Sequence, residues 1–222
     1  MNTPNPPEPA RPTRIPRGEA RIRLLDTALR LIREQGFAAT SVDALCKEAG
    51  VTKGAFFHHF DSKEALGAAA ADYWSETTSA MFADAPYHAP QDPLDRVFAY
   101  LDFRAALIDG EIAGFTCLVG TMVQETYGSS DAIRAACNAS ITGHAATLEA
   151  DIQAAMDMRG VGAPFTAQSL ALLTQTVLQG GFITAKAAGH KGPALDAVAH
   201  LKRYFAFIFE GSATRAEDRS AA

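Results

Sequence analysis

The chain has 222 residues, 48% of them hydrophobic, and a formal net charge of −5. That length suits one large domain or two small ones with a substantial core. It contains no run of about 18 apolar residues, which excludes a membrane-spanning helix, and no apolar signal core near the N-terminus, so a cytoplasmic protein is expected.

The charge is unevenly spread. Residues 1–63 carry ten Lys/Arg against seven Asp/Glu, a local excess of +3, while the remainder carries ten against eighteen, a deficit of −8. A polyanion is therefore attracted to one end and repelled by the other. Cys46, Cys117 and Cys137 form neither a metal-ligand spacing nor an even disulfide set, which fits a reducing compartment.

Six of the eleven prolines lie within residues 1–16, a density that prevents helix and sheet pairing, so 1–17 reads as a flexible Pro/Arg-rich arm. Ile22, Leu25, Leu29 and Ile32, with Ala28 between them, recur at three- and four-residue steps and predict an amphipathic helix ended by Gly36. Thr40 with Asp43 reads as the start of a short helix closed by Gly50. Thr52 caps a third, very short helix. Asp61 with Glu64 repeats the capping pattern and opens a fourth helix through Trp74 towards Phe82.

The segment ADAPYHAPQDP is a loop. Further helices are expected at about 92–109, 112–127, 130–158, 166–189 and 194–210. Residues 211–222 are small and polar and read as a flexible tail. No alternating strand pattern appears. The class is all-α, with an N-terminal three-helix domain at 18–62 and about six helices in 63–210.

Two short helices around a Gly-containing turn form a helix-turn-helix over Thr40–Leu66. Val42, Leu45 and Cys46 can face the first helix, Ala49 is small enough to let the next helix approach, and Val51 plugs the corner. Ala55, Phe56 and Phe60 can anchor the third helix from behind. That leaves Thr52, Lys53, Gly54, Phe57 and His58 outward, on a short helix with a polar, cationic tip. Such a tip can enter a DNA major groove with its backbone N–H groups near phosphate. The spacing alone is equally compatible with an ordinary helical corner.

The residues themselves are more specific. Thr40, Ala49-Gly50-Val51, Gly54, Phe57, His59-Phe60 and Lys63 resemble the DNA-binding domain of the TetR family of repressors, over about residues 20–66. The resemblance implies phosphate contacts from Thr40 and Lys63 and base-edge contacts from Thr52, Lys53 and His58. It also implies close backbone approach at Gly54. The family usually carries Tyr where this chain has Phe57. Lacking the hydroxyl, Phe57 can pack on a thymine methyl or a sugar instead. His59 reads as structural and Cys46 as core. Arg11, Arg14 and Arg17 in the arm either reach a minor groove or stay solvated.

The resemblance also implies a homodimer on a palindromic double-stranded DNA operator and a small-molecule inducer, with no cofactor, metal or catalytic residue. Leu170, Leu173, Val177 and Gly181 form one stripe on the last two helices, and Leu195, Val198, Leu201 and Phe205 form another. These are the candidate dimer contacts, although each stripe can equally cover the subunit's own core. Phe98, Phe103, Phe115, Cys117, Met122, Tyr127 and His144 are the candidate ligand-binding residues, since a pocket needs an apolar chamber with a few polar anchors. Two alternatives stand beside this reading: a thiol sensor of electrophiles or oxidants acting through Cys117, and an architectural DNA-binding protein without a ligand. No Gly-rich phosphate loop, nucleophile elbow or paired-His motif points to an enzyme.

Overall fold

A computed structural model describes residues 17–162 and 164–220. Its elements are α1 (Arg17–Gln35), α2 (Val42–Ala49), α3 (Lys53–His59), α4 (Lys63–Ala83), a single 3-10 turn (Pro86–His88), α5 (Pro93–Ala106), α6 (Ile112–Phe115), α7 (Leu118–Thr126), α8 (Asp131–Ala146), α9 (Glu149–Met158), α10 (Ala167–Ala188) and α11 (Gly192–Ser220). Arg11 and Arg14 of the expected arm lie outside the described residues. The α11 backbone continues as helix to Ser220, where an irregular tail is expected after Gly211.

Two helix starts, those of α2 and α4, are displaced by one residue from expectation. The N-cap of α2 is Ser41, whose hydroxyl accepts from Ala44 N–H, and the N-cap of α4 is Ser62, which accepts from Ala65 N–H. Thr52 caps α3 as expected, accepting from Ala55 N–H. Gly50 closes α2 at φ +67°, a left-handed conformation in which a side chain would be strained. On α1 the buried face is Leu24, Leu25, Ala28, Leu31 and Ile32, whereas Ile22 is exposed.

Two long helices expected in the C-terminal half are each broken. The 112–127 segment divides into α6 and α7 at Thr116 and Cys117, whose backbones are extended; the Cys117 sulfur then accepts Gly120 N–H as the N-cap of α7. The 130–158 segment divides at Thr147 and Leu148. There the Thr147 hydroxyl takes the His144 carbonyl, and the local backbone bonds tighten to i−3.

The core has two apolar clusters. One gathers α1–α4 with Leu118, Val119 and Met122 of α7 and Ile133 and Cys137 of α8. The N-terminal helices thus share a core with the C-terminal half. Gly67 on α4 permits this approach: a Cβ there would lie 2.8 Å from the Phe37 ring and 2.9 Å from Ile133. The second cluster joins α5, α9, α10 and α11.

The expected dimer stripes are largely internal. Leu170, Gly181, Val198, Leu201 and Phe205 are buried within the subunit, and Leu173, Val177 and Leu195 are half-buried. The cause is close packing of α10 on α11, with Gly181 against the Ala194 backbone. Leu172 and Ile183 on α10 and Tyr204 and Phe207 on α11 are the large apolar residues left exposed there.

Candidate nucleic-acid interface and internal cavity

The α3 helix is pinned from behind by Phe56 and Phe60, which pack 5.8 Å apart between ring centroids and are buried. Thr52, Lys53, Gly54, Phe57 and His58 are all exposed along its outer side. Phe57 is 54% exposed and stands edge-on to Phe56. Lys53 pairs with Asp43 at 2.6 Å, which raises its pKa, and both side chains remain largely in solvent. Lys63 donates to the Ala38 carbonyl at 3.2 Å and lies over the Phe37 ring.

Thr40 departs from expectation. It is 1% exposed; its hydroxyl donates to the Gly36 carbonyl at 2.7 Å and accepts from Gln35 Nε2 at 3.3 Å. It fixes the α1–α2 turn and has no free surface for a phosphate.

A cavity of about 370 Å³ lies between α1, α4, α5, α6, α8 and α10. Of the expected ligand residues, Phe115, Cys117 and His144 line it. The others do not. Met122 is sealed in the N-terminal cluster and Tyr127 is 69% exposed. Phe103 packs against Phe82 and Tyr87 behind the wall, and Phe98 packs on the C-terminal cluster. Met122 and Tyr127 follow the helix break at 116–117, which interrupts the continuous stripe that the sequence suggests.

The wall also holds residues that sequence reading passes over. Arg33 is one, because a basic residue in the last turn of α1 reads as an ordinary partner of the helix dipole. Its Nε donates to the Leu29 carbonyl and its Nη1 to the Gly114 carbonyl of α6 at 3.0 Å, and the guanidinium lies 5.2 Å from the Trp74 ring centre. Arg104 stands over Phe82 at 5.2 Å.

His144 meets Tyr100 OH through Nε2 at 3.0 Å, and Gln175 Nε2 donates to the same hydroxyl at 3.1 Å. All three groups are satisfied when Tyr100 donates to a neutral imidazole protonated on Nδ1. Burial, reinforced by the Arg104 charge, pushes the His144 pKa down to about 4 and so keeps it neutral.

A smaller cavity, about 230 Å³, shares Cys117, Gln179 and Phe182 with the first and reaches Glu125 and Lys186. Glu125 of α7 accepts from Phe37 N–H at 3.2 Å and Ala38 N–H at 2.7 Å, in the turn that leads into α2. The N-terminal helices are therefore tied to the cavity walls twice, through Arg33–Gly114 and through Glu125. Burial raises the pKa of the Cys46 thiol and pushes that of Cys137 up to about 12, and both sit in the core; Cys117 opens on both cavities.

Residues 24–70 match the family of bacterial regulatory proteins described as the tetR family, and residues 93–200 match the LmrA/YxaF-like transcriptional regulator C-terminal domain. The chain belongs to the TetR family. Among curated relatives it is similar to two HTH-type transcriptional regulators of Bacillus subtilis. It is 31% identical to LmrA over 124 residues, covering 54% of this chain and 64% of that one. It is 29% identical to YxaF over 122 residues, covering 54% and 63%.

A third relative from the same organism, YerO, is 45% identical over 56 residues, which is 19% of its length. The chain thus spans less than two thirds of these relatives. The relatives are regulators of transcription, not enzymes. Among solved structures, the TetR-family fold is shared with the reduced form of E. coli NemR (TM-score 0.72, 24% identity, 83% of this chain and 96% of that one). A TetR regulator from Chloroflexus aurantiacus is equally similar (TM-score 0.72, 25% identity, 85% and 94%). Among the described residues no helix is long and apolar enough to cross a membrane, and no group of three or more His, Cys, Asp or Glu side chains could hold a metal ion.

Proposed function

We propose that this TetR-family protein is a dimeric, ligand-responsive repressor whose α3 reads a palindromic operator and whose cavity binds a small-molecule inducer. The units of this reading are residues 18–62 for DNA and 63–210 for ligand and dimer. Thr52, Lys53, Gly54, Phe57 and His58 form the reading surface, and Lys63 is a flanking phosphate contact once it leaves Ala38. The dimer face is the exposed strip of Leu172, Ile183, Tyr204 and Phe207.

One observation carries the ligand reading: Arg33 of α1 is part of the cavity wall that the C-terminal helices otherwise build. A ligand that favours one arrangement of this wall must also bias α1. Coupling of about 1–3 kcal/mol would change operator affinity roughly 5–150-fold. The test is a compound screen read by melting temperature and operator affinity together. The same compound should raise the first and lower the second. Both effects should vanish in Ile141→Trp, which fills the cavity. Persistence of operator release in that variant would refute the reading.

The thiol alternative has an observation of its own. Cys117 is the cysteine that opens on the cavities, at the first turn of α7. In that reading an electrophile adds to the sulfur and forces α7 off the α1–α2 turn that Glu125 holds. Mass spectrometry after exposure to N-ethylmaleimide should locate the adduct on Cys117, and Cys117→Ser should keep the operator bound. Equal release by wild type and Cys117→Ser would exclude it.

A further inference from the structure

Five arginines elsewhere in the molecule sit against carboxylates: Arg23 on Glu19, Arg30 on Glu34 and Glu48, Arg96 on Asp151, Arg134 on Asp131 and Arg159 on Asp92. The two in the larger cavity do not, and unlike Arg21 and Arg203, which also lack a carboxylate but are exposed, they are half-buried. Among the described residues, Arg104 makes no hydrogen bond or ion pair, only its contact with the Phe82 face. Arg33 uses Nε and Nη1 on backbone carbonyls, leaving Nη2 without a partner. Among the described residues no Asp or Glu lines this cavity.

Two guanidinium groups on an acid-free, aromatic wall are electrostatically unbalanced, since a partly buried charge needs compensation. Burial already lowers the Arg33 pKa. Their positions are also specific. They stack on Trp74 and Phe82, eight residues apart on α4, so they stand on the order of 12 Å apart along the cavity. Beside Arg104 lies His144, whose ring is 4.4 Å from Phe82 and whose Nδ1 carries the proton in the tautomer that satisfies Tyr100 and Gln175. Between the two cations Thr77 and Thr78 of α4 spend their hydroxyls on the backbone carbonyls of Tyr73 and Trp74, and Ile141, Phe115 and Phe182 add apolar surface to the wall.

We propose that the inducer is an elongated organic anion, its carboxylate anchored on Arg104 beside His144 and an oxygen at its far end held by Arg33. This rests on the reading of the cavity as the inducer site and adds the chemical class. It also assigns Arg33 the transmitting role: an oxygen on its guanidinium competes with the Gly114 carbonyl and loosens the tie between α1 and α6.

Calorimetry on the full chain, with operator affinity measured in parallel, tests this with two probe series. One is 2-naphthoate, 2,6-naphthalenedicarboxylate and 2-naphthamide; the other is decanoate, decanedioate and decanamide. The series separate an aromatic from an aliphatic body. In at least one, the acid should bind roughly ten- to a hundredfold tighter than its amide, as expected for a charge-assisted bond, and the diacid tighter still. Arg104→Gln should erase the acid's advantage while leaving the amide unchanged. Arg33→Gln should erase the diacid's extra affinity and blunt operator release.

Amides binding as tightly as acids would overturn the proposal, a comparison that needs no variant. An unchanged acid affinity in Arg104→Gln would overturn it too. Amides that release the operator while acids do not would sink the anion and leave the inducer cavity standing. Binding and release by none of the six would count against both.

Discussion

At the scale of single residues, the outward face of α3 and the inward face of the cavity make different demands. Lys53 is in solvent and already paired with Asp43, so on DNA it exchanges that carboxylate for a base-edge acceptor. Lys53→Ala should cost about 1–3 kcal/mol at one base position and relax specificity there. An equal loss on all sequences, with the slope of log affinity against log salt reduced by about one, would instead make Lys53 a phosphate contact.

His144 contributes to pH dependence. Its folded pKa, about 4, lies below the ordinary imidazole value of 6.5. The unfolded chain therefore binds the proton first as pH falls. The stability held by neutral His144 is complete above about pH 6.5 and is lost as pH drops towards 4. The slope is at most about 1.4 kcal/mol per pH unit. Urea unfolding should show His144→Gln with a flatter profile in that window; parallel profiles would mean that His144 is not held neutral.

At the scale of helices, what sequence could and could not convey follows from range. The caps and turns of α2 and α3 are local, so Gly50, Thr52 and the anchoring pair Phe56 and Phe60 were legible. Ser41 and Ser62 were passed over only because Thr40 and Asp61 beside them offer the same chemistry. Periodicity located α10 and α11 but not which side meets solvent, because both helices carry apolar residues on more than one face; the packing of Gly181 on Ala194 decides it. The cavity was least legible. Its wall combines residues as distant as Arg33 and Phe182, and Met122 and Tyr127, beyond the helix break at 116–117, lie away from it.

The shared core between α4, Phe37 and α8 gives a prediction at this scale. Helix propensity favours Gly67→Ala by about 1 kcal/mol. Its Cβ would meet Phe37 and Ile133 below 3 Å, and overpacking typically costs about 1–3 kcal/mol. The steric effect should win, lowering the melting temperature. A stabilised variant would show that the two halves are less tightly joined.

At the scale of the molecule, one α3 reads few base pairs, and a two-fold axis doubles the site. The exposed strip on α10 and α11 is the surface available for that axis, with Phe207 72% exposed at its end. A Phe207→Glu change buries an unpaired charge only if a second copy covers the site. Sedimentation should give a dimer for wild type and a shift to monomer for the variant; two monomers, or two equal dimers, would remove this face from consideration.

The central claim is that α3 reads DNA in a two-fold pair. Selection of bound duplexes from random sequence by the full chain tests it most directly. The expected result is an inverted repeat whose half-sites are about 34–36 Å apart, or a multiple of that spacing, with enrichment weakened by Lys53→Ala. Recovery of no consensus, or of a single half-site without its inverted partner, would contradict it.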